Sequence, residues 1–173
     1  MACKAHPDCT FAFAAMSAAP LLCIGLMSGT SLDGVDGVLL ECSATAAHAS
    51  PGTLRQRGFA SRPLPAELRA ELLALNTPGH DELHRAALAA NALMHVYAQV
   101  VHDVCGQTGL PARQIAVLGA HGQTVRHRPQ MFGGTGYTTQ LVNGALLAEL
   151  TGIAVACDFR SRDVAAGGQG APL

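Results

Sequence analysis

The chain has 173 residues, a formal net charge of −1 and only 13% charged residues. This length predicts one ordinary domain with a sizeable core, and the near-neutral charge argues against binding to nucleic acid or to an acidic lipid surface. The apolar stretches are interrupted well before the roughly 20 residues that a membrane helix needs, which argues against an integral membrane protein.

The cysteine and lysine content narrows the class of protein further. Six cysteines are dispersed along the chain without a C-x-x-C pair. Such a pattern favours small core side chains in a reducing compartment over a disulfide framework, so a cytoplasmic location is predicted. Lys4 is the only lysine, and no glycine run is followed by lysine as a Walker loop requires. A mechanism that needs a lysine inside a folded site is therefore not expected.

Residues 1–20 form an extension without a helix or strand period. The favoured interpretation is a disordered tail or a wrongly assigned start, with Met16 as the initiator. One alternative is a secretory signal whose apolar stretch is Phe11–Ala19. Another is a zinc site with a spacing that matches no common zinc pattern, its ligands being Cys3, His6, Cys9 and Cys23.

The structural pattern begins at Leu21. The apolar runs Leu21–Met27 and Val35–Glu41 predict the two strands of a hairpin, and the unusually polar turn Ser28–Gly34 joins them. The segment Thr53–Pro63 could supply a third strand.

Two helices are predicted next. The first runs from Pro65 through Leu75, and Leu68, Leu72 and Leu75 lie on one stripe. The second is long, with Asp81 as its cap and an end near Cys105, where Gly106–Pro111 breaks it. Its apolar residues repeat at alternating spacings of four and three and form one buried stripe: Leu83, Ala87, Ala90, Met94, Tyr97, Val101 and Val104. A helix of this kind packs on a flat surface.

The second half of the chain alternates strands and helices. Ile115–Gly119 predicts a strand without a polar face, as expected when both faces are covered. A polar loop follows, then a helix near Asn143–Leu150 and a strand over Ile153–Cys157. This alternation predicts an α/β domain with a mixed sheet.

Three polar segments, each following an apolar strand, are the candidate ligand loops. In the first, Ser28–Asp36, backbone amides and hydroxyls could donate to phosphate oxygens, and Asp33 and Asp36 could hold Mg²⁺. The alternative is a turn whose polar side chains satisfy their own backbone.

The second and third segments carry side chains suited to a sugar and to acid–base chemistry. Gly119–His127 offers amide, hydroxyl, imidazole and guanidinium groups to a polyhydroxylated ligand. The alternative is a loop whose polar side chains make their hydrogen bonds within the protein. Asp158–Asp163 places two carboxylates beside two arginines, which suits a base next to an anion-binding group. The alternative for this segment is a surface ion-pair loop.

These segments together resemble one known family. The runs IGLMSGTSLDGVD from Ile24, GAHGQT from Gly119 and DFRSRDVAAGGQGAP from Asp158 are similar to the motifs of anhydro-N-acetylmuramic acid kinases. The resemblance extends over residues 21–173. It implies an actin/Hsp70/sugar-kinase type fold, ribonuclease H-like, in which two related α/β domains hold ATP between them.

The resemblance also implies a reaction and the residues that carry it. The substrates would be ATP, with Mg²⁺, and 1,6-anhydro-N-acetylmuramic acid. The anhydro ring would be opened by water and the 6-oxygen phosphorylated, giving N-acetylmuramic acid 6-phosphate in cell-wall sugar recycling. Asp163 would activate the water, and His121, Gln123, Thr124 and Arg160 would contact the sugar. The ATP-binding hairpin would comprise Gly29, Thr30, Ser31, Leu32, Asp33, Gly34, Val35 and Asp36.

The family members are about twice as long as this chain, which ends just after the third motif. We therefore expect residues 21–173 to be the N-terminal domain of a truncated sugar kinase whose second domain is missing, inactive by itself. Its bare apolar surface would favour association, for example as a homodimer. Two alternatives stay open: a remnant that only binds sugar or phosphate, and a half-enzyme that a separately encoded domain completes.

Overall fold

The structure is a computed structural model, and it describes residues 20–43 and 53–171. The strands are β1 (Leu21–Ser28), β2 (Gly34–Ser43), β3 (Thr53–Pro63), β4 (Ile115–Ala120), β5 (Gln123–Pro129), β6 (Gly136–Leu141) and β7 (Val155–Cys157). The helices are α1 (Ala66–Ala74), α2 (Glu82–Thr108), α3 (Gly144–Thr151) and α4 (Phe159–Ala165), and a 3₁₀ turn covers Ala112–Gln114. The extension before Pro20, with its signal and initiator interpretations, lies outside the described residues.

The main sheet has five strands in the order β3-β2-β1-β4-β7. The first three strands are antiparallel neighbours, whereas β1, β4 and β7 run parallel. The predicted α/β class with a mixed sheet is confirmed, and the arrangement is consistent with the sugar-kinase type of fold that the resemblance implies.

Helix α2 packs across one face of this sheet because two glycines let it approach closely. A Cβ on Gly37 would lie 2.4 Å from the side chain of Val100, and a Cβ on Gly58 would lie 2.6 Å from that of Thr108. The apolar faces of the strands and of α2 meet there to form the core. The core also includes the predicted leucine stripe of α1, Leu68, Leu72 and Leu75.

The long helix differs from its prediction at both ends. The predicted stripe is buried from Ala90 onward, but Leu83 is 89% exposed and Ala87 is also exposed. A repeat of 3.5 residues drifts around a helix of 3.6 residues per turn, so the first turns of the stripe rotate away from the sheet. The helix continues past Gly106 to Thr108. Asp81 occupies the N-cap position, but its side chain makes no capping hydrogen bond.

The second face of the sheet is more open than predicted for β4. Ala116 is exposed, and Gly119 is half-buried beneath the ring of Phe159 in α4. The prediction that both faces of β4 are covered is therefore wrong for the described residues. The prediction of a polar loop after β4 is also wrong, because β5 and β6 pair there as an antiparallel hairpin. Its strands are rich in Thr, Arg, His and Gln, so they lack the apolar alternation typical of a strand.

Three further predictions concern membrane helices, the cysteines and a zinc site. Within residues 20–43 and 53–171, no helix is long and apolar enough to cross a membrane. The described cysteines are free and half-buried, and Cys105 and Cys157 pack against the core. Of the zinc ligands considered, only Cys23 is described, and no cluster of three potential metal ligands occurs in these residues.

Arg126 of β5 ties the hairpin to the two helices. Its guanidinium donates to the carbonyl of Leu75 at the end of α1 and, at 2.6 Å, to the carboxylate of Glu82 at the start of α2. We expect Arg126→Ala to lower the free energy of unfolding by about 1–2 kcal/mol, because it removes charge-assisted hydrogen bonds from a side chain that is only 15% exposed. Urea unfolding measures this loss.

Arg128→Ala is the matched control, because its exposed guanidinium donates to the carbonyl of its neighbour His127. Equal losses for both variants would show that Arg126 does not hold the hairpin in place.

Candidate functional site

The three candidate ligand loops lie at one edge of the main sheet. The parallel strands β1, β4 and β7 end at Ser28, Ala120 and Cys157, so the segments that follow them emerge at the same edge. Strand β2 runs the other way and starts at this edge with Gly34. The sheet topology thus places the three sequence motifs together, as the strand-end rule for α/β folds predicts.

The turn between β1 and β2 forms one wall of a cavity of about 400 Å³, a volume within the range of small-molecule sites. Its lining residues come from the turn and from the end of β3: Met27, Gly29, Ser31, Asp33, Gly34, Asp36, Ser61 and Pro63. Five of the eight predicted ATP-binding residues therefore face a common space.

The remaining three predicted ATP-binding residues are placed differently. Thr30 is exposed and lines a neighbouring cavity. Leu32 and Val35 are at most 4% exposed, because their side chains belong to the core. The amide of Leu32 donates to the carbonyl of Gly29 and closes the turn. Leu32 also lines the neighbouring cavity together with Thr30, but neither Leu32 nor Val35 lines the hairpin cavity.

The cavity suits a hydrated magnesium ion bound to phosphates. The carboxylates of Asp33 and Asp36 make no hydrogen bond within the described residues, and Ser31 and Ser61 add hydroxyls to the same wall. Mg²⁺ is typically held by one or two carboxylates together with waters and substrate phosphates, which matches this donor set. Two carboxylates without such a bond in residues 20–43 and 53–171 also argue against a turn whose polar side chains only satisfy their own backbone.

A buried group of polar atoms lies beneath the hairpin. The hydroxyl of Ser28 lies 3.1 Å from the hydroxyl of Tyr97 in α2, and it donates to the carbonyl of Gly122 at 3.3 Å. Both side chains are almost fully buried. Burial raises the pKa of Tyr97 to about 12, although the hydrogen bonds with Ser28 and Gly122 act in the opposite direction. The helix, the hairpin and the turn after β4 thus share one buried contact.

Removal of the Tyr97 hydroxyl is expected to change how stability depends on pH. A raised pKa in the folded state gives stability that is fully present below pH 10 and is lost as the pH rises towards about 12. We expect Tyr97→Phe to lower the free energy of unfolding by about 1 kcal/mol at neutral pH, by loss of a hydrogen bond, and to flatten the alkaline loss. Chemical unfolding between pH 7 and 12 tests this.

Tyr137→Phe serves as the control, because Tyr137 is 43% exposed and stacks on Phe132. If Tyr97→Phe loses as much stability at alkaline pH as the wild type does, Tyr97 is not the group responsible for that loss.

A chain of hydrogen bonds runs from this buried group to Asp163. His121 Nδ1 lies 2.7 Å from the carbonyl oxygen of Gly122, and His121 Nε2 lies 2.7 Å from Nε of Arg160. Arg160 Nη1 donates to the carbonyl of Gly170 at 2.8 Å, and the amide of Gly170 donates to Asp163 Oδ2 at 2.7 Å. The second and third motifs are therefore directly connected.

Asp163 lies in α4, where sequence analysis expects only a loop, and the glycines that follow wrap around its carboxylate. A Cβ on Gly168 would lie 2.3–2.6 Å from the three carboxyl atoms, so no larger residue fits there without moving them. The amide of Gly168 donates to the Asp163 carbonyl, while the Asp163 side chain stays exposed. An exposed, oriented carboxylate at this edge of the sheet can accept a proton from a bound water.

The other two predicted sugar-contacting side chains are hydrogen-bonded within the protein or buried in it. Thr124 accepts a hydrogen bond from Gln140 at 3.2 Å. The side chain of Gln123 is 1% exposed, and neither of its amide atoms has a partner within the described residues. A sugar would reach Gln123 only after its neighbours move.

Sequence reasoning missed the contribution of Tyr97 and Gly122 to this region. Tyr97 is predicted only as part of a buried stripe, yet a single tyrosine among aliphatic residues is itself a signal, because a buried phenol needs a hydrogen-bond partner. No comparable signal marks the carbonyl of Gly122, two of whose partners, Ser28 and Tyr97, are distant along the chain.

Comparisons with known proteins agree with these motifs. The family model described as "Anhydro-N-acetylmuramic acid kinase" matches residues 21–173. A protein of that name from Variovorax paradoxus is 62% identical over 152 residues, which are 88% of this chain and 39% of the relative. Its namesake from Bordetella petrii is 61% identical over 152 residues, 88% of this chain and 38% of the relative. One from Cupriavidus metallidurans is 57% identical over 150 residues, 87% of this chain and 38% of the relative. The chain thus spans less than two fifths of these relatives' length.

Proposed function

The chain belongs to the anhydro-N-acetylmuramic acid kinase family, and from this premise we propose that residues 21–173 supply the phosphate hairpin and the water-activating carboxylate of such a kinase. The reaction consumes ATP, water and 1,6-anhydro-N-acetylmuramic acid and gives N-acetylmuramic acid 6-phosphate and ADP. We assign it to the cytoplasm, in the recycling of cell-wall sugars.

The single observation that carries the proposal is that the hairpin cavity and the carboxylate of Asp163 lie at the same edge of the sheet. The hairpin cavity presents hydroxyls and two carboxylates that make no hydrogen bond within the described residues, and the third motif presents Asp163 in a position that Gly170 holds. Phosphoryl transfer needs positioning and charge neutralisation, whereas ring opening needs a base. The residues of this chain would supply a part of each without lysine.

The hairpin would bind ATP through Gly29, Ser31 and Gly34. Asp33 and Asp36 would hold Mg²⁺, which neutralises phosphate charge when it is bound. The segments of the relatives that have no counterpart in this chain would supply the remaining contacts to ATP and sugar.

Asp163 would take a proton from the water that attacks the anomeric carbon. As the new carbon–oxygen bond forms, the bond from that carbon to the 6-oxygen breaks, and the 6-oxygen keeps the electron pair. This oxygen attacks the γ-phosphorus, and the bond to ADP breaks. Arg160 and Thr124 would contact the sugar, because Arg160 Nη2 makes no hydrogen bond within the described residues and the Thr124 hydroxyl can still donate.

A chimera provides the test. Residues 21–173 replace the segment that they match in the Variovorax paradoxus relative, and ADP release and the sugar 6-phosphate are measured with ATP, Mg²⁺ and the anhydro sugar. We expect activity within about 10-fold of the relative itself, since a sequence that keeps the same groups in place keeps their transition-state contacts. A folded chimera without activity, beside an active relative, would overturn the proposal.

The 173-residue chain is assayed in parallel. Binding of ATP or sugar by this chain without turnover would identify the parts of the site that it holds by itself, and turnover would show that the other segments of the relatives are not needed.

Asp33→Asn and Asp36→Asn chimeras are expected to need about 10-fold more Mg²⁺ for half-maximal rate, because each loses one carboxylate of the donor set.

A further inference from the structure

We propose that His121 is a positioning residue for Asp163, acting through Arg160 and Gly170, and that it does not contact the sugar. This inference rests on the proposed function of Asp163 as the base, and it replaces the sugar-contacting role predicted for His121.

The hydrogen bonds of His121 define which of its nitrogens carries the proton. The carbonyl oxygen of Gly122 can only accept, so Nδ1, at 2.7 Å, must be the donor. Arg160 Nε can only donate, so Nε2, also at 2.7 Å, must be the acceptor. The ring is therefore neutral with its proton on Nδ1, and both nitrogens are used within the protein.

The surroundings of the ring favour this neutral form. Burial lowers the pKa of His121 below its ordinary value, and the positive charge of Arg160 acts in the same direction, whereas the bond to Gly122 opposes them. A neutral imidazole is what the arrangement needs, because a proton on Nε2 would face the N–H group of Arg160.

Arg160 transmits the position of His121 to the loop after α4. Its Nε is held by the imidazole, and its Nη1 donates to the carbonyl of Gly170. Gly170 is buried with φ of +67°, and its amide donates to Asp163 Oδ2. Gly170 thus receives one hydrogen bond from the arginine and makes another to the carboxylate.

The same chain of contacts reaches the phosphate hairpin at its other end. The carbonyl of Gly122 accepts from both His121 and Ser28, and Ser28 is the last residue of β1, directly before Gly29. His121 therefore lies between the two parts of the proposed site, at the point where their relative positions can be set.

Nuclear magnetic resonance on the full 173-residue chain tests the geometry without any activity. Long-range ¹⁵N spectra of the imidazoles distinguish the two neutral forms, and the signals of His121 are assigned by their loss in His121→Gln. We expect the proton on Nδ1. A proton on Nε2 would overturn the proposal, because Nε2 could not then accept from Arg160.

Hydrogen exchange at the Gly170 amide tests transmission to Asp163. In His121→Phe, which keeps a ring but lacks the acceptor, we expect exchange about 10-fold faster than in the wild type, since loss of a support raises local opening. His121→Gln places an amide oxygen near the position of Nε2, and it should restore most of the protection. Unchanged exchange in His121→Phe would refute the positioning role, whether or not the kinase proposal holds.

The chimera then separates positioning from sugar binding. We expect His121→Phe to lower kcat about 30-fold while KM for the anhydro sugar stays within about 3-fold, and His121→Gln to recover most of kcat. A rise in KM with unchanged kcat would show instead that His121 binds the sugar. If the parent chimera is inactive, the kinase proposal fails, and the tautomer and exchange measurements still decide whether the contact chain exists.

Discussion

Asp163→Asn in the chimera is expected to lower turnover by about 10³-fold, in line with the contribution of a general base. Asparagine has the same shape as aspartate, and its side-chain oxygen can still accept from the amide of Gly170, as Asp163 Oδ2 does at 2.7 Å. The position of the side chain is therefore retained, and only its ability to take a proton from water is lost. ADP release and sugar phosphorylation should fall together.

A second variant separates the loss of the base from its displacement. Gly168→Ala keeps the carboxylate, but its new methyl group would occupy space within 2.3–2.6 Å of it, so the Asp163 side chain must move. We expect a fall in kcat of about 10²-fold, because misplacement of a reacting group by about 1 Å has an effect of this size. Full activity of Asp163→Asn would show that another group activates the water.

Of the substitutions proposed for unfolding measurements, Gly122→Ala is expected to have the largest effect, a loss of at least about 3 kcal/mol in the free energy of unfolding. The backbone of Gly122 has φ of +75°, which side chains rarely adopt. A methyl group there would also lie 2.7 Å from the carbonyl oxygen of Leu141 and 3.0 Å from Cβ of Val142. The variant would disturb the turn whose carbonyl accepts hydrogen bonds from Ser28 and His121.

Gly109→Ala is the control that isolates the backbone contribution. Gly109 has a similar φ of +69°, but no atom lies within 4 Å of an added Cβ. We expect this variant to lose only about 1 kcal/mol in urea unfolding, the cost of the left-handed conformation. Equal losses in the two variants would mean that the contact with Leu141 is relieved at little cost.

Local sequence determined most of the elements of this fold. β3 has the predicted ends, and the hairpin and the helices α1 and α2 occur where apolar periodicity and turn residues predict them. The same reasoning failed for β5 and β6, because a strand of polar residues has no alternation to detect. It failed again at α4, a seven-residue helix that opens after Asp158 in a left-handed conformation.

The sequence by itself also determined which residue types are available for chemistry. The three polar segments, the near-absence of lysine and the family motifs follow from the order of the residues alone, because each segment is contiguous. Because each motif is contiguous, the resemblance to the kinase family is recognised without a structure.

Only the tertiary structure decided what those residues do for one another. Leu32 and Val35 lie within the hairpin motif yet face the core, and His121 uses both nitrogens inside the protein. The hydrogen bonds that join Ser28 to Gly122 and His121 to Arg160 span 94 and 39 residues. Hydrogen bonds depend on distances of about 3 Å and on direction. Such distances arise only when the parallel strands bring remote segments to one edge of the sheet.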